Sequence, residues 1–117
     1  MIKTDRFADR VIKMCRYLEK RHSQEHDALR QVYRSGTSIG ANVHEALYAQ
    51  SKADFVSKLS ISLKEASETS FWLTLLEKTD YLAQTDYRSM KTDVDELMRM
   101  IISSLKTIRN NERTENE

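Results

Sequence analysis

The sequence of 117 residues contains no proline, only two glycines and a single cysteine. Two glycines cannot supply a phosphate-binding P-loop, a GxGxxG dinucleotide-binding turn or the many turns of a β-sandwich. One cysteine excludes an intramolecular disulfide framework and a cysteine-rich zinc site. Neither sign of charge dominates, because 19 basic residues stand against 18 acidic ones. These absences favour an all-helical protein whose composition does not name a reaction.

Long apolar segments are also missing. The longest uninterrupted apolar run is Ala46–Ala49, whereas a membrane-spanning helix needs roughly 20 apolar residues. The N-terminus is charged from Lys3 onward, unlike a secretory signal peptide. A lone cysteine, Cys15, suits a reducing compartment. Together these features predict a cytoplasmic protein that does not enter a membrane.

Four segments show the spacing of half-buried helices, with apolar residues at steps of three and four. The predicted helices are Asp5–Arg21, Glu25–Ala49, Lys52–Lys78 and Asp86–Arg109. Their connections are short and polar, so neighbours should run antiparallel in an up-down-up-down four-helix bundle. We expect residues 1–109 to form this bundle as a homo-oligomer subunit. Residues 110–117 contain no apolar side chain and are expected to form a disordered tail.

The two glycines, Gly36 and Gly40, lie four residues apart on the apolar face of the second predicted helix. A glycine inside a helix costs about 1 kcal/mol relative to alanine, so its presence there requires a reason. A phosphate-binding turn is the alternative, but the helical periodicity runs through both positions. We therefore expect Gly36 and Gly40 to let another helix approach closely.

The third predicted helix is apolar on two sides. Its second face carries a row of apolar and acidic side chains: Ile61, Glu65, Glu68, Phe71, Trp72 and Leu75. An exposed apolar patch that includes a tryptophan usually marks an interface, which predicts a closed, symmetric oligomer. The alternative is a wide core in which both flanks of the helix are half-buried.

Positive charge concentrates at the start of the chain, where residues 1–24 contain seven Lys or Arg and three Asp or Glu. A helical wheel gathers six of these cations on one side of the first helix: Lys3, Arg6, Arg10, Lys13, Lys20 and Arg21. Such a stripe would suit the phosphates of RNA or DNA, and an oligomer would multiply it. The alternative is a solvated helix face, since no aromatic residue within the stripe is placed to stack on bases.

The histidines and the cysteine form no convincing catalytic or metal-binding set. Glu19-x-x-His22 matches half of a di-iron motif, but the sequence has no second Glu-x-x-His unit. His44 and Glu45 are adjacent on a helix and therefore face different directions. Cys15 lies on the apolar stripe and is expected to be buried. The sequence predicts a non-enzymatic protein with no catalytic residue, metal, cofactor or small-molecule substrate.

Two stretches resemble motifs of a known bacterial family. The second helix contains Arg34-x-x-x-Ser-Ile-x-x-Asn-Val-x-Glu-Ala46, and the third contains Lys64-Glu-Ala-x-Glu-Thr-x-Phe-Trp-Leu73. Both resemble the four-helix-bundle family named after 23S rRNA intervening sequences, with Val43 in place of the usual isoleucine. The resemblance implies an antiparallel bundle that assembles into a homopentamer, with a biochemical role that is generally unassigned.

A related bundle is the accessory variability protein of diversity-generating retroelements, a basic pentamer that binds reverse transcriptase and nucleic acid. The present chain is far less basic, with a net charge of +1. We predict a binding or scaffold module that contacts other copies of itself, with structured RNA or DNA as a candidate partner. The alternative is a protein–protein adaptor with no nucleic-acid contact.

The polar residues of the first motif suggest how the subunits meet. Ser38, Asn42 and Glu45 share the side of the second helix away from its apolar stripe. We expect them to bond to the Glu65, Glu68 and Trp72 region of a neighbouring subunit. On that hypothesis, Trp72→Ala dissociates the assembly without unfolding the bundle.

Overall fold

The computed structural model describes residues 2–22 and 26–116, except for the side chains of residues 115 and 116. The described residues form four α-helices and no strand. α1 spans Lys3–Arg21, α2 spans Asp27–Leu47, α3 spans Lys52–Lys78 and α4 spans Gln84–Asn116. The all-helical fold predicted from the sequence is confirmed. The predicted start of the second helix, Glu25, lies outside the described residues.

The helices enclose one core in an elongated bundle of 57 × 24 × 23 Å. α2 packs against α1 and α3, while α4 packs against α3 and, less extensively, against α1. Across the described residues, the diagonal pairs α1–α3 and α2–α4 do not approach each other. This order of neighbours is that of an up-down-up-down four-helix bundle. None of the described helices is long and apolar enough to span a bilayer.

The core takes apolar side chains from every helix. Its most completely buried members are Phe7, Val11, Leu18, Val32, Ile39, Ala46, Ala66, Leu73, Leu76 and Val94. Burying a large aliphatic or aromatic side chain of this kind stabilises a fold by about 1.5–3 kcal/mol. The three- and four-residue spacing of these positions, visible in the sequence, is therefore what holds the bundle together.

Buried hydroxyl groups lie between α2 and α3. Thr69 Oγ1 is 2.9 Å from Ser35 Oγ, and Ser62 Oγ donates to the backbone oxygen of Ile39 at 2.9 Å. All three side chains are fully buried. Because a buried hydroxyl without a partner is costly, these bonds fix how α2 and α3 are placed along each other.

α1 packs tightly against α2 at the two glycines. A Cβ atom at Gly36 would lie 2.8 Å from Val11 Cγ2, whereas one at Gly40 would lie 3.4 Å from Thr4 Cβ. Both glycines are inside the continuous helix α2 and are buried. The absence of a side chain is therefore needed more strictly at Gly36 than at Gly40.

α4 is longer than the sequence suggested. A disordered tail was expected from residue 110, but the helix continues to Asn116. No proline or glycine stops it, and the side chains of residues 110–114 are exposed. The final turns thus lengthen α4 without enlarging the core. Glu117 lies outside the described residues.

α3 ends in a Schellman motif. The N–H of Tyr81 donates to the oxygen of Leu76, and the N–H of Asp80 donates to the oxygen of Glu77. Asp80 has a φ of 62°, a left-handed conformation that normally favours glycine. The chain therefore reverses direction at a residue whose side chain opposes the required backbone geometry.

Replacing Asp80 with glycine should stabilise the protein by about 0.5–1 kcal/mol, because glycine adopts a positive φ without a Cβ clash. Asp80→Asn is the control, since it removes only the carboxylate charge from the negative end of the α3 dipole. Urea unfolding of the three proteins gives the comparison. A glycine variant no more stable than wild type would mean that Asp80 bears no strain.

Candidate interface on the α2–α3 shoulder

The two sequence motifs come together along the outer seam between α2 and α3, a surface that we name the α2–α3 shoulder. Its residues are Arg34, Ser38, Asn42, Glu45, Lys58, Ile61, Glu65, Glu68, Phe71, Trp72 and Leu75. The positions on α2 recur at steps of three and four, as do most of those on α3. Each helix therefore presents its part of the shoulder as one strip.

Arg34 links the two motifs within a single chain. Its Nη1 donates to Glu65 Oε2 at 3.2 Å, and its Nη2 donates to the Glu68 carboxylate. The hydrogen bond to Glu68 raises the pKa of Arg34, burial opposes this, and attraction to both carboxylates raises the pKa further. Glu65 is 17% exposed and Arg34 is 48% exposed. Two carboxylates thus share one guanidinium, which leaves the cluster with a net negative charge.

The other polar residues of the first motif also find partners in their own chain. Ser38 Oγ donates to the backbone oxygen of Arg34 at 2.6 Å, and Asn42 Nδ2 donates to that of Ser38 at 2.9 Å. Lys58 Nζ lies 3.0 Å from Glu45 Oε2. That hydrogen bond and the attraction to Glu45 raise the pKa of Lys58. The motifs meet inside one chain, and their predicted contact with a neighbouring subunit stays a prediction.

The apolar residues of the shoulder divide into two groups. Phe71 is 57% exposed, Ile61 is 39% exposed and Leu75 is 37% exposed. Trp72 is half-buried, packs against the core and makes an edge-to-face contact with Phe71 at 5.0 Å between ring centroids. The wide-core alternative therefore describes Trp72, while the other three side chains face outward.

This division changes the expected effect of Trp72→Ala. The prediction that Trp72→Ala dissociates the assembly without unfolding the bundle followed from the hypothesis that the two motifs meet across a subunit interface. Because the indole packs against the core, alanine would also remove buried apolar area. Phe71, which is more exposed, is the better position at which to probe the surface.

The basic stripe of α1 faces acidic residues of α4. Lys3 pairs with Glu96, and Arg10 pairs with Asp93 while its Nη2 donates to Ser89 Oγ at 2.9 Å. The Lys3 ammonium lowers the pKa of Glu96, mainly by donating a hydrogen bond and also by its charge. The α1–α4 seam therefore uses two of the six predicted cations as structural ion pairs.

The remaining cations of the stripe are only partly available. Lys13 lies 2.9 Å from Asp9 of its own helix, and the guanidinium of Arg21 bonds the hydroxyl of Tyr17. Arg6 and Lys20 are exposed. All six cations thus lie along α1. Carboxylates beside Lys3, Arg10 and Lys13 make this surface less positive than the sequence spacing suggested.

The family model described as 23S rRNA-intervening sequence protein matches residues 2–103. The chain belongs to this family. A crystal structure of an S23 ribosomal protein family member of unknown function from Bacteroides thetaiotaomicron is 44% identical in sequence. The match has a TM-score of 0.85 and covers 89% of this chain and 95% of that chain. A comparison with proteins of curated function found no match.

The match confirms the family resemblance carried by the motifs around Arg34 and Lys64. The match assigns no function to individual residues of this intervening-sequence protein. The motif in the sequence includes Arg34 but does not reveal its bonds to Glu65 and Glu68, and no sequence signal pointed to Lys58. Arg34 lies four residues before Ser38, so a wheel would have put it on the shoulder, but the wheel of one helix cannot identify partners on another.

Cys15, the one candidate nucleophile considered, is buried. Its Sγ donates to the backbone oxygen of Leu29 at 3.7 Å. Burial raises the pKa of the Cys15 thiol to about 12, and the nearby Glu19 carboxylate adds to the shift. Within 2–22 and 26–116, no three His, Cys, Asp or Glu side chains form a candidate metal-binding group.

Proposed function

We propose that this protein is a non-enzymatic scaffold that assembles with other copies of itself through the α2–α3 shoulder. The observation that carries the proposal is the exposure of Phe71, with Ile61 and Leu75 on the same helix. Aromatic and aliphatic side chains exposed together on a charged helix are typical of an interface centre. The motifs of this surface resemble those of a pentameric family, which supports a ring of five copies.

The charges around Phe71 fit the rim of such an interface. Arg34, Glu65, Glu68 and Lys64 surround a shallow depression that Phe71 also lines. Interfaces commonly surround an apolar centre with polar groups that remain near water. Because two cations and two carboxylates surround this depression, the facing surface of the neighbouring copy is expected to present side chains of both signs there.

RNA or DNA binding along α1 has less support. Lys3, Arg10 and Lys13 already pair with carboxylates. A cation that must leave a carboxylate before it meets a phosphate gains less from the release of counterions. We therefore expect no tight RNA binding at physiological salt, and any affinity at low salt should fall steeply as salt is added.

Phe71→Ser tests the scaffold proposal. Light scattering coupled to size exclusion should show an assembly for the wild type and a smaller species for the variant. Losing a buried phenylalanine costs about 2 kcal/mol at each interface, or roughly thirtyfold in Kd. Tyr48→Ser is the matched control, because Tyr48 is 85% exposed but lies outside the shoulder. Circular dichroism should show both variants fully helical.

A monomeric wild type, or a Phe71→Ser variant that keeps the full mass, would contradict self-assembly through the shoulder. A titration with a structured ribosomal RNA fragment distinguishes nucleic-acid binding from the adaptor alternative. Binding at physiological salt that weakens when Arg6 and Lys20 are changed to glutamine would favour nucleic acid as the partner. A monomer that binds no RNA would point to the adaptor alternative.

A further inference from the structure

An assembly through the α2–α3 shoulder needs a second contact surface on each copy, because a ring joins two different surfaces of the same chain. That surface must lie away from the shoulder, must be apolar opposite Phe71 and must lie at the same level along the helices. A depression in the α1–α4 seam meets these conditions. We name it the α1–α4 depression, and it is lined by Arg10, Lys13, Met14, Tyr17, Leu82, Asp86 and Met90.

The α1–α4 depression has an apolar floor and a charged rim. Leu82 and Met90 are buried, and Met14 is half-buried and packs against the core. On the rim, Lys13 of α1 has a side chain that is 70% exposed, and Asp86 of α4 is exposed. An apolar centre inside a ring of charges is the usual arrangement of a protein–protein interface.

The depression is wide because α1 packs less extensively against α4 than against α2. Its volume is about 490 Å³. The seam between α1 and α2 is closed by the contact of Val11 with Gly36, and it leaves a depression of about 290 Å³ beside Tyr33. An aromatic ring from another copy therefore finds more room on the α1–α4 side.

The contacts of α3 with α4 place Phe71 at the level of this depression. Thr74 Oγ1 of α3 is 3.1 Å from Tyr87 Oη of α4. Phe71 lies one helical turn before Thr74, and Met90 lies one turn after Tyr87. Because α3 and α4 run antiparallel, Phe71 and Met90 are level with each other.

The contacts of α2 with its two neighbours give the same level. Thr69 of α3 bonds Ser35, and the next residue of α2 lies against Val11 of α1. Thr69 and Val11 are therefore nearly level. Since α1 and α3 run in the same direction, Phe71 and Met14 both lie within one turn beyond them. Two independent routes thus lead from Phe71 to the floor of the α1–α4 depression.

A second apolar pair lies at the other end of the same two surfaces. Ile61 precedes Phe71 on α3 by the same number of residues as Met100 follows Met90 on α4. Ile61 is therefore level with Met100, which is 46% exposed. Met100 lies beside the start of α1, where it lines a depression together with Ile2. The shoulder and the α1–α4 seam thus both have apolar side chains at these two levels.

The charges between the two apolar pairs are complementary. Glu68, which bonds Arg34, lies one turn before Phe71 and is therefore level with Asp93 on α4. Asp93 in turn pairs with Arg10 across the α1–α4 seam. When the two surfaces face each other, Glu68 meets Arg10 and Arg34 meets Asp93, so that opposite charges lie together.

We propose that the α2–α3 shoulder of one copy packs against the α1–α4 seam of the next, with Phe71 in the α1–α4 depression and Ile61 against Met100. This inference rests on the proposed self-assembly and adds the surface that receives the shoulder. α3 and the α1–α4 seam lie on different sides of the bundle, so each copy contacts two neighbours at once. A closed ring requires such a heterologous contact.

Tyr17→Ser tests the receiving surface, because Tyr17 lines the depression and is 52% exposed. Analytical ultracentrifugation over a series of concentrations should show a Kd of assembly raised about tenfold or more. Tyr33→Ser is the matched control, since Tyr33 is a 46% exposed tyrosine at a similar level in the α1–α2 seam. It should leave the Kd of assembly unchanged, and circular dichroism should show both variants fully helical.

Cross-linking tests the pairing of the two surfaces directly. In a Cys15→Ala background, Ser67→Cys places an exposed thiol beside Phe71, and Lys13→Cys places one on the rim of the depression. The two variants, unfolded and refolded together, should give a dimer of one chain of each with a short bismaleimide. Neither variant alone should cross-link, and Ser67→Cys mixed with Tyr33→Cys should not cross-link either.

The contrary outcomes separate this inference from the proposed function. A Phe71→Ser variant that loses mass, beside a Tyr17→Ser variant that assembles like the wild type, would overturn the inference and leave self-assembly through the shoulder standing. Cross-linking of Ser67→Cys to itself would overturn it in favour of a two-fold contact between shoulders. Cross-linking to Tyr33→Cys would overturn it in favour of the α1–α2 seam. A monomeric wild type would contradict the proposed function and the inference together.

Discussion

Replacing Gly36 with alanine should destabilise the protein by up to about 2 kcal/mol, because overpacking a core costs about 1–3 kcal/mol and alanine regains about 1 kcal/mol of helix propensity. The new Cβ would lie 2.8 Å and 3.0 Å from the two γ-carbons of Val11. Val11 is fully buried and β-branched, so its side chain cannot rotate away freely. Alanine gains about 1 kcal/mol of helix propensity over glycine, which offsets only part of the clash.

Gly40→Ala is the matched control, four residues along the same helix. Its Cβ would meet Thr4 atoms at 3.4–3.5 Å, an ordinary van der Waals separation. The propensity gain then dominates, and we expect this variant to be stabilised by up to about 1 kcal/mol. Two substitutions that are identical in chemistry should thus have effects of opposite sign.

Urea unfolding of both variants measures the difference. Val11→Ala should cost less stability in the Gly36→Ala background than in the wild type, because the smaller side chain makes room for the new Cβ. A double-mutant cycle isolates this coupling. If Gly36→Ala proved as stable as Gly40→Ala, the helices would not be held at the distance described above.

Cys15 should react with a thiol reagent at pH 8 about a thousandfold more slowly in the folded protein than in denaturant. The reactive species is the thiolate, and burial raises the pKa of the Cys15 thiol to about 12. A Ser103→Cys variant in a Cys15→Ala background supplies an exposed thiol on α4 as the control. Comparable rates in the folded and unfolded wild type would show that the thiol is accessible.

The raised pKa of Cys15 also makes the stability of the protein depend on pH. Between about pH 9 and about pH 12 the unfolded chain loses the Cys15 proton while the folded chain retains it. The unfolded state then binds fewer protons, so stability falls as the pH rises through this window. Cys15→Ala should lack this component, and the difference between the two pH profiles isolates it from the lysines and tyrosines.

The fold could be predicted from the sequence because apolar side chains that recur at helical spacing form its core. Apolar side chains such as Val11, Val32, Leu73 and Val94 recur at helical spacing and are all fully buried. Gly36 and Gly40 were also informative, since a glycine tolerated inside a helix usually serves close packing. These signals lie within one helix at a time and need no knowledge of its neighbours.

The surfaces were harder to predict because they depend on how the helices are placed relative to one another. The cations at Lys3 and Arg10 formed a stripe on one wheel, but Asp93 and Glu96 of α4 lie against that stripe in the bundle. Arg34 likewise finds its hydrogen-bond partners, Glu65 and Glu68, on α3. The α1–α4 depression depends on how two helices pack against each other, which the pattern of neither helix reveals.

The modest packing between α1 and α4 bears on how the chain folds. Most contacts join helices that are consecutive in sequence, so little loop entropy opposes their formation, and topologies of this kind fold in microseconds to milliseconds. Among the described helices, only α1 and α4 pack together without being consecutive in the chain, and their ion pairs are partly exposed. It is therefore the place where thermal opening of the native bundle should begin, with α1 detaching before the α2–α3 hairpin.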